Sequence, residues 1–300
     1  MPRTITCPYC GARFEVPETV TIAVCPYCGT TVWASTGEVF REHYMFDVRI
    51  EYNRAFDNVR MLAQRQFAAP DDIYERASPE AGRLHFIPLY LYHVSVRAEC
   101  PGNPEAGLEE EYAALVATRR LPEGLDEEYR FAVRGRKFFE PAKIERGIYY
   151  QPDLDAKELL PKATERARMK ALREASEECD NPKLVDESKW LGIVHYPFWE
   201  VIYKYEERRF RGIVDATDGT VVYLEYPIGG RERGVLLAMS AGLLLLSALI
   251  GAAIGSAVGS TIYGGAGGLV AGIAGSIPSF RLGAARVGRY RLRSRLERNE

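Results

Sequence analysis

The sequence has few of the side chains that carry out enzyme chemistry. Only four histidines occur in 300 residues, and they do not have the spacing of a catalytic zinc helix. The chain also contains no Gly-x-x-x-x-Gly-Lys-Ser/Thr loop and no Gly-x-Ser-x-Gly turn. The sequence therefore lacks the usual signatures of metallopeptidases, P-loop nucleotide hydrolases and serine hydrolases. These absences favour a protein that binds rather than catalyses.

A basic excess is also missing from most of the chain. The formal net charge is −2, and nine arginines but only three glutamates lie from residue 231 onward. Residues 1–230 therefore hold 30 basic and 38 acidic side chains, a net of −8. Because a surface that binds nucleic acid is normally basic, nucleic acid is not the expected partner of the main domain.

Charge is absent altogether from residues 234–280. A membrane helix needs about 20 apolar residues, so this run predicts a transmembrane hairpin with helices at 235–255 and 262–280. Arginines flank the run on both sides and are missing from its middle, which predicts cytoplasmic termini. Residues 1–6 do not resemble a cleavable signal peptide. The expected location is the plasma membrane, crossed twice.

Glycine recurs every fourth residue in both predicted helices. Small residues at this spacing let helix backbones approach closely in lipid. Two uses stay open, namely packing of the two helices on each other and assembly into a homo-oligomer or channel. The glycines concerned are Gly251, Gly255, Gly259, Gly264, Gly268 and Gly272.

Residues 281–300 form an Arg-rich segment with a net charge of +5. A basic segment beside a membrane helix is expected to contact anionic lipid headgroups. A tether for RNA or the ribosome is the alternative, since arginine also binds nucleic-acid phosphate. The candidate contact residues are Arg286, Arg289, Arg291, Arg293, Arg295 and Arg298.

Two identical turns, Cys-Pro-Tyr-Cys-Gly, occupy residues 7–11 and 25–29. Four thiolates brought together in this way predict one structural Zn²⁺ in a ribbon spanning residues 1–36, with the ligands Cys7, Cys10, Cys25 and Cys28. The turns also resemble those of rubredoxin, so iron stays open as the metal. A single such turn is typical of thiol oxidoreductases, which leaves redox catalysis as a further alternative.

Residues 40–230 predict an α+β fold in two units, 40–150 and 151–230. In each, a helix precedes a strand rich in aromatic residues, and the second unit continues as an antiparallel meander. The strands share a Pro-aromatic pattern, around Pro88 and Pro197, at an offset of 109 residues. Each proline is expected at a strand start. One large domain and a duplication both stay open. Cys179, on the apolar face of the second helix, is expected to pack in the core.

Taken in chain order, these features resemble the TFIIB-type zinc-ribbon membrane proteins of bacteria and archaea. The resemblance is carried by the four cysteines, by the two Pro-aromatic segments and by residues 214–221, which are similar to the strand–turn–strand of PepSY-like domains. It implies a zinc ribbon on an α+β module and no known reaction. The expected function is that of a membrane-anchored cytosolic scaffold that binds membrane lipids and an unidentified protein partner.

Overall fold

The protein combines helices and sheet, as the α+β prediction requires. The structure, a computed structural model, describes residues 2–18, 20, 22–257 and 259–292. The elements are β1 (Arg3–Thr6), β2 (Arg13–Val16), β3 (Ile22–Val24), β4 (Thr31–Trp33), β5 (His43–Met45), α1 (Tyr52–Gln64), α2 (Ile73–Arg76), β6 (Ser78–Cys100), β7 (Asn103–Val116), β8 (Lys137–Phe138), α3 (Pro141–Ile144), β9 (Ile148–Tyr149), α4 (Ala156–Ala175), β10 (Lys183–Asp186), β11 (Lys189–Tyr205), β12 (Arg208–Asp215), β13 (Val221–Pro227), α5 (Gly230–Ala257), α6 (Thr261–Ala284) and β14 (Val287–Arg291).

The ribbon region contains two small hairpins, β1–β2 and β3–β4. The second hairpin is packed onto the main sheet by three aromatic rings. The ring of Trp33 lies 5.0 Å from that of Phe40 and 5.6 Å from that of Trp190 on β11. Ile22 is buried in the same core as Tyr90 on β6. The ribbon is therefore attached to the sheet along one side.

One ten-stranded sheet joins the two ranges that the sequence divides at residue 150. Its centre is the antiparallel pair β6 and β11, in which Ile87 lies opposite Tyr196. These two residues are 109 positions apart, which is the offset of the Pro-aromatic repeat. The two copies of the repeat therefore pair with each other about a local two-fold axis. Each of the three main hydrophobic cores contains residues from both ranges.

The prolines of the repeat lie inside their strands rather than at the starts expected from the sequence. β6 begins ten residues before Pro88, and β11 begins eight before Pro197. The carbonyl of Pro88 accepts from Ala117 N at 2.9 Å, where β7 has just ended. The carbonyl of Pro197 accepts from Ala216 N at 3.1 Å, where β12 has just ended. Proline is tolerated because its missing N–H faces a place where the neighbouring strand has stopped.

Each long helix covers strands that belong to the other half of the repeat. The carbonyl of Ala117 accepts from the backbone N–H of Leu154, just before α4, at 3.2 Å. The carbonyl of Ala216 accepts from that of Ile50, just before α1, at 3.0 Å. As a result, α4 packs on β6 and β7, whereas α1 packs on β11, β12 and β13. Because the helices are exchanged in this way, the core beneath each helix contains residues from both halves of the repeat.

The alanine face of α4 lies against β7 at very short range. Ala163, Ala167 and Ala171 are buried there, as their four-residue spacing predicts. A Cβ on Gly107 would collide with the carbonyl of Ala171, so glycine is required at that contact. Cys179 packs against the same core as expected, and it also forms a disulfide with Cys100 at the end of β6. The sequence offers no sign of that bond.

The two C-terminal helices are inserted between neighbouring strands of the sheet. β13 leads into α5, α6 leads into β14, and β13 pairs with β14 antiparallel, with Leu224 opposite Tyr290. The segment predicted as an Arg-rich tail therefore begins inside α6 and continues as an edge strand. A strand was not expected there because its partner lies sixty residues earlier in the chain.

Candidate metal centre and the buried polar groups beside it

Each cysteine pair lies on the same tight backbone turn. Gly11 N donates to Cys7 O at 3.0 Å, and Gly29 N donates to Cys25 O at 2.9 Å. The backbone angle φ is +74° at Gly11 and +73° at Gly29. Other residues adopt this left-handed conformation only with strain. The repeated Cys-Pro-Tyr-Cys-Gly pattern is thus a turn that points two thiols in one direction.

The two turns bring all four cysteine sulfurs together, with every pair of Sγ atoms within 4.8 Å. Sγ of Cys7 lies 3.6 Å from that of Cys28, and Sγ of Cys10 lies 3.7 Å from that of Cys25. A tetrahedral zinc with Zn–S bonds of about 2.3 Å places its sulfurs about 3.8 Å apart, so this group of thiols has the size that zinc needs. The close pairs join one turn to the other, as in a closed four-ligand site. Zinc and iron both fit this ligand set.

A line of buried hydrogen bonds leads from the ribbon into the sheet. Oγ1 of Thr31 lies 2.5 Å from Nδ1 of His43, and Nε2 of His43 lies 2.8 Å from Nδ1 of His195. Nε2 of His195 lies 3.2 Å from the carbonyl oxygen of Tyr150. Burial lowers the pKa of both histidines, so both are uncharged at neutral pH. Because a carbonyl only accepts, Nε2 of His195 donates to Tyr150, and Nδ1 of His195 accepts from Nε2 of His43. Nδ1 of His43 in turn accepts from Thr31.

A second buried group continues from the same tyrosine. The carboxylate of Glu200 lies 3.3 Å from Nε2 of His85, so Nε2 donates and Nδ1 accepts from Tyr150 Oη at 2.9 Å. Burial lowers the pKa of His85, and the neighbouring Glu200 opposes that shift. Nε of Arg211 reaches the same carboxylate at 3.1 Å. The buried carboxylate of Glu200 is therefore paired with both His85 and Arg211.

Sequence reasoning places His195 at a strand end, but it is fully buried within β11. Its partner His43 lies 152 positions earlier in the chain, on β5, which pairs in parallel with β11. The only local signal was a histidine within a strongly apolar strand. Such a signal does not reveal a partner that tertiary pairing brings into place.

Acid is expected to weaken the fold through these two histidines. Burial lowers the pKa of His195 to about 3 and that of His43 well below its usual value, with the proximity of His195 adding to the shift at His43. The unfolded chain takes up protons below about pH 6.5 that the folded chain does not, so stability is full above that pH and falls below it. Between pH 7.5 and 5.5 the loss is about 1.4 kcal/mol per histidine, measured by urea unfolding.

The matched comparison is between two variants. The double change His43→Phe and His195→Phe should flatten this part of the pH dependence, whereas Phe138→Leu should leave it unchanged because Phe138 is exposed and does not titrate. Equal slopes for the parent and the double variant would contradict the assignment. Loss of a metal ion from the four cysteines in acid would affect all three proteins alike and would cancel in the comparison.

The predicted helix-packing glycines lie mostly between α5 and α6. A Cβ on Gly251, Gly255, Gly264 or Gly268 would collide with the backbone of the opposite helix, and one on Gly272 would collide with Ser247. Gly259 lies outside the contact, with open space around its Cα. The two antiparallel helices therefore pack against each other through their glycine faces.

The six arginines predicted to contact lipid have different surroundings. Nε of Arg289 lies 3.8 Å from Glu225, and a guanidinium nitrogen of Arg291 lies 3.2 Å from Asp126. Arg286 is exposed near the start of α5. Arg293, Arg295 and Arg298 lie outside the described residues. Two of the six therefore interact with the protein's own carboxylates.

Comparison with known proteins finds no matching family model, no similar curated protein and no similar solved structure. The resemblance to TFIIB-type zinc-ribbon membrane proteins therefore stays a prediction. What the chain does has to be inferred from its metal centre, its sheet and its helix pair.

Proposed function

We propose that this chain is a non-enzymatic, membrane-anchored scaffold whose zinc ribbon contacts a protein partner in the cytosol. The observation that carries the proposal is the way the ribbon and the helix pair are attached to one sheet. The ribbon packs on β11 through Trp33, and the helix pair is inserted between β13 and β14. A metal-stabilised surface is thereby held at a constant position relative to the helices.

One helix among the described residues, Gly230–Ala257, is long and apolar enough to cross a membrane. Only 11% of its most apolar window is buried, so most of that surface is free to face lipid. Among the described residues, α6 does not reach the same hydropathy over a membrane-spanning length. A crossing by both helices is supported by the strands at their ends, since β13 and β14 pair and must lie on the same side of a bilayer.

The cytosolic placement is supported by charge and by thiol chemistry. Arg231 and Arg233 lie at the start of α5, while the connection near Ser260 carries no charge. Four unpaired zinc thiolates also suit a reducing compartment. The disulfide Cys100–Cys179 is a bond of oxidising compartments and of hyperthermophile cells. The side of the membrane is therefore the first thing to measure.

Labelling of single added cysteines in intact cells measures it directly. We expect Ser260→Cys, at the connection between the helices, to react with a membrane-impermeant maleimide from outside. Asp218→Cys, on an exposed turn of the sheet, should react only after permeabilisation. Labelling of both positions from outside would overturn the orientation. Labelling of Asp218→Cys alone would reverse it.

Two tyrosines mark the proposed contact surface. Tyr9 and Tyr27 occupy equivalent positions on the two cysteine turns and are 81% and 70% exposed. Exposed aromatic side chains on rigid turns are frequent anchors of protein–protein contacts. The metal supports the turns, and the tyrosines provide the contact area.

The test is crosslinking in native membranes followed by purification of the full chain. We expect a partner protein that is recovered with the parent and lost with the double change Tyr9→Ser and Tyr27→Ser, at unchanged zinc content. Tyr112→Ser is the matched control, since Tyr112 is 53% exposed on the sheet. Recovery of the same proteins with all three chains would contradict the proposed surface.

A further inference from the structure

A cavity of about 680 Å³ lies where the sheet meets the first apolar helix. It is bounded by the turn between β11 and β12, by the segment that leads into α5, and by Arg286 after α6. Its size lies within the range of small-molecule sites. The backbone around it is held in place, because Gly229 N donates to Ala68 O at 3.0 Å and Ile228 N donates to Arg286 O at 3.3 Å.

Four arginines from three parts of the fold line this cavity: Arg208, Arg231, Arg233 and Arg286. Among the described residues, no carboxylate forms an ion pair with any of the four. One guanidinium has a protein partner, since Nε of Arg233 donates to the carbonyl of Gly283 at 3.0 Å. Arginines that share a cavity without carboxylate partners repel one another and favour an anion between them.

Four carboxylates line the cavity as well, and two of them are already bound by other groups. Asp72 accepts from Tyr205 Oη at 2.6 Å and from Arg76 at 3.1 Å. Glu206 lies 4.0 Å from the same Arg76. The remaining two are Asp71 and Glu232. Counting Arg76, five arginines and four carboxylates surround the cavity, which leaves an excess of one positive charge.

The start of α5 adds to this excess. Gly230 and Arg231 are its first residues, and both line the cavity. The first N–H groups of a helix have no partner within the helix and carry the positive end of its dipole. The backbone and the arginines therefore favour the same kind of ligand.

We propose that this cavity binds the phosphate group of an anionic lipid headgroup. The inference rests on the proposed function, since it requires that α5 enters a membrane. Arg233 is the last charged residue before the apolar run, and the exposed side chains of Val235 and Leu237 follow within one turn. Phosphate at the cavity and acyl chain beside α5 match the boundary between headgroups and hydrocarbon.

The test uses the full chain in neutral detergent and measures its thermal stability against added short-chain lipid. Phosphatidylglycerol should stabilise it at concentrations at least about tenfold lower than phosphatidylcholine does. The double change Arg208→Gln and Arg286→Gln should weaken the phosphatidylglycerol effect by about tenfold per arginine and leave that of phosphatidylcholine unchanged. Arg146→Gln, an exposed arginine outside the cavity, is the matched control.

Three results would overturn the site. They are equal responses to the two lipids, an unchanged response in the double variant, and an equal response to inorganic phosphate, which would make a free anion the ligand. An unchanged thermal stability in the absence of lipid reports that the double variant is folded. Membrane association is measured separately by carbonate extraction. A parent chain that shows no lipid preference but resists extraction refutes this site alone, whereas a parent chain that is extracted refutes the anchor.

Discussion

Replacing Cys25 with serine is expected to abolish metal binding and unfold residues 1–36. Three thiolates do not complete the tetrahedral site, and structural zinc contributes about 10–16 kcal/mol in comparable small domains. The ribbon core is a few small side chains around Phe14 and Val32, which is too little to stay folded alone. The metal content should fall from one ion per chain to none, and hydrogen exchange should become fast across the ribbon.

The unfolding should be confined to the ribbon. The core that contains Tyr90 loses its contacts with Ile22 and Trp33. The rest of that core and the core around Tyr196 lie outside the ribbon, so the sheet and the helix pair are expected to remain folded. Tyr27→Ser alters the same turn at an exposed side chain and should keep its zinc. A Cys25→Ser chain that retains one zinc and slow exchange would show that the four cysteines do not form the site.

The second large effect is expected from Gly268→Leu, which should separate α5 from α6. A side chain at this position would collide with the carbonyl of Ser247 and lie 2.9 Å from the Cα of Gly251. Overpacking of this kind costs about 1–3 kcal/mol or more, and here the obstacle is backbone that has no room to move. Gly267→Leu is the matched control, because a Cβ there meets no atom within 4 Å.

The structure offers a reporter for this contact. Oγ of Ser240 on α5 lies 2.8 Å from Oγ of Ser279 on α6, so cysteines at these positions should crosslink under mild oxidation. We expect the crosslink in the parent and in Gly267→Leu, and its loss in Gly268→Leu. Crosslinking between chains rather than within one chain would favour the homo-oligomer. Equal crosslinking within the chain for both leucine variants would contradict the contact.

Features set by neighbouring residues are the ones that sequence predicts here. The paired cysteine turns, the alanine face of α4 and the apolar helix at Gly230–Ala257 all depend on spacing within about thirty residues. They are detectable because a turn or a helix has its own period and its own preferred residues.

Features set by pairing between distant segments are not predicted. His43 meets His195, Cys100 meets Cys179, and β14 joins β13 only because the sheet brings these segments together. Nothing in the local pattern distinguishes an arginine on an edge strand from one in a solvated tail. The same holds for Pro88, whose place inside a strand depends on where β7 stops.

The insertion of the helices between two paired strands has a consequence for the order in which the chain matures. β14 is synthesised after α6, so β13 remains an open sheet edge until both helices have been made and the chain has turned back. An open edge is a template for pairing with other chains. A chain stalled inside the hairpin should therefore aggregate or be degraded, although every residue of its sheet up to Pro227 is already present. Completion of the sheet therefore requires that both α5 and α6 have been made and that β14 has reached β13.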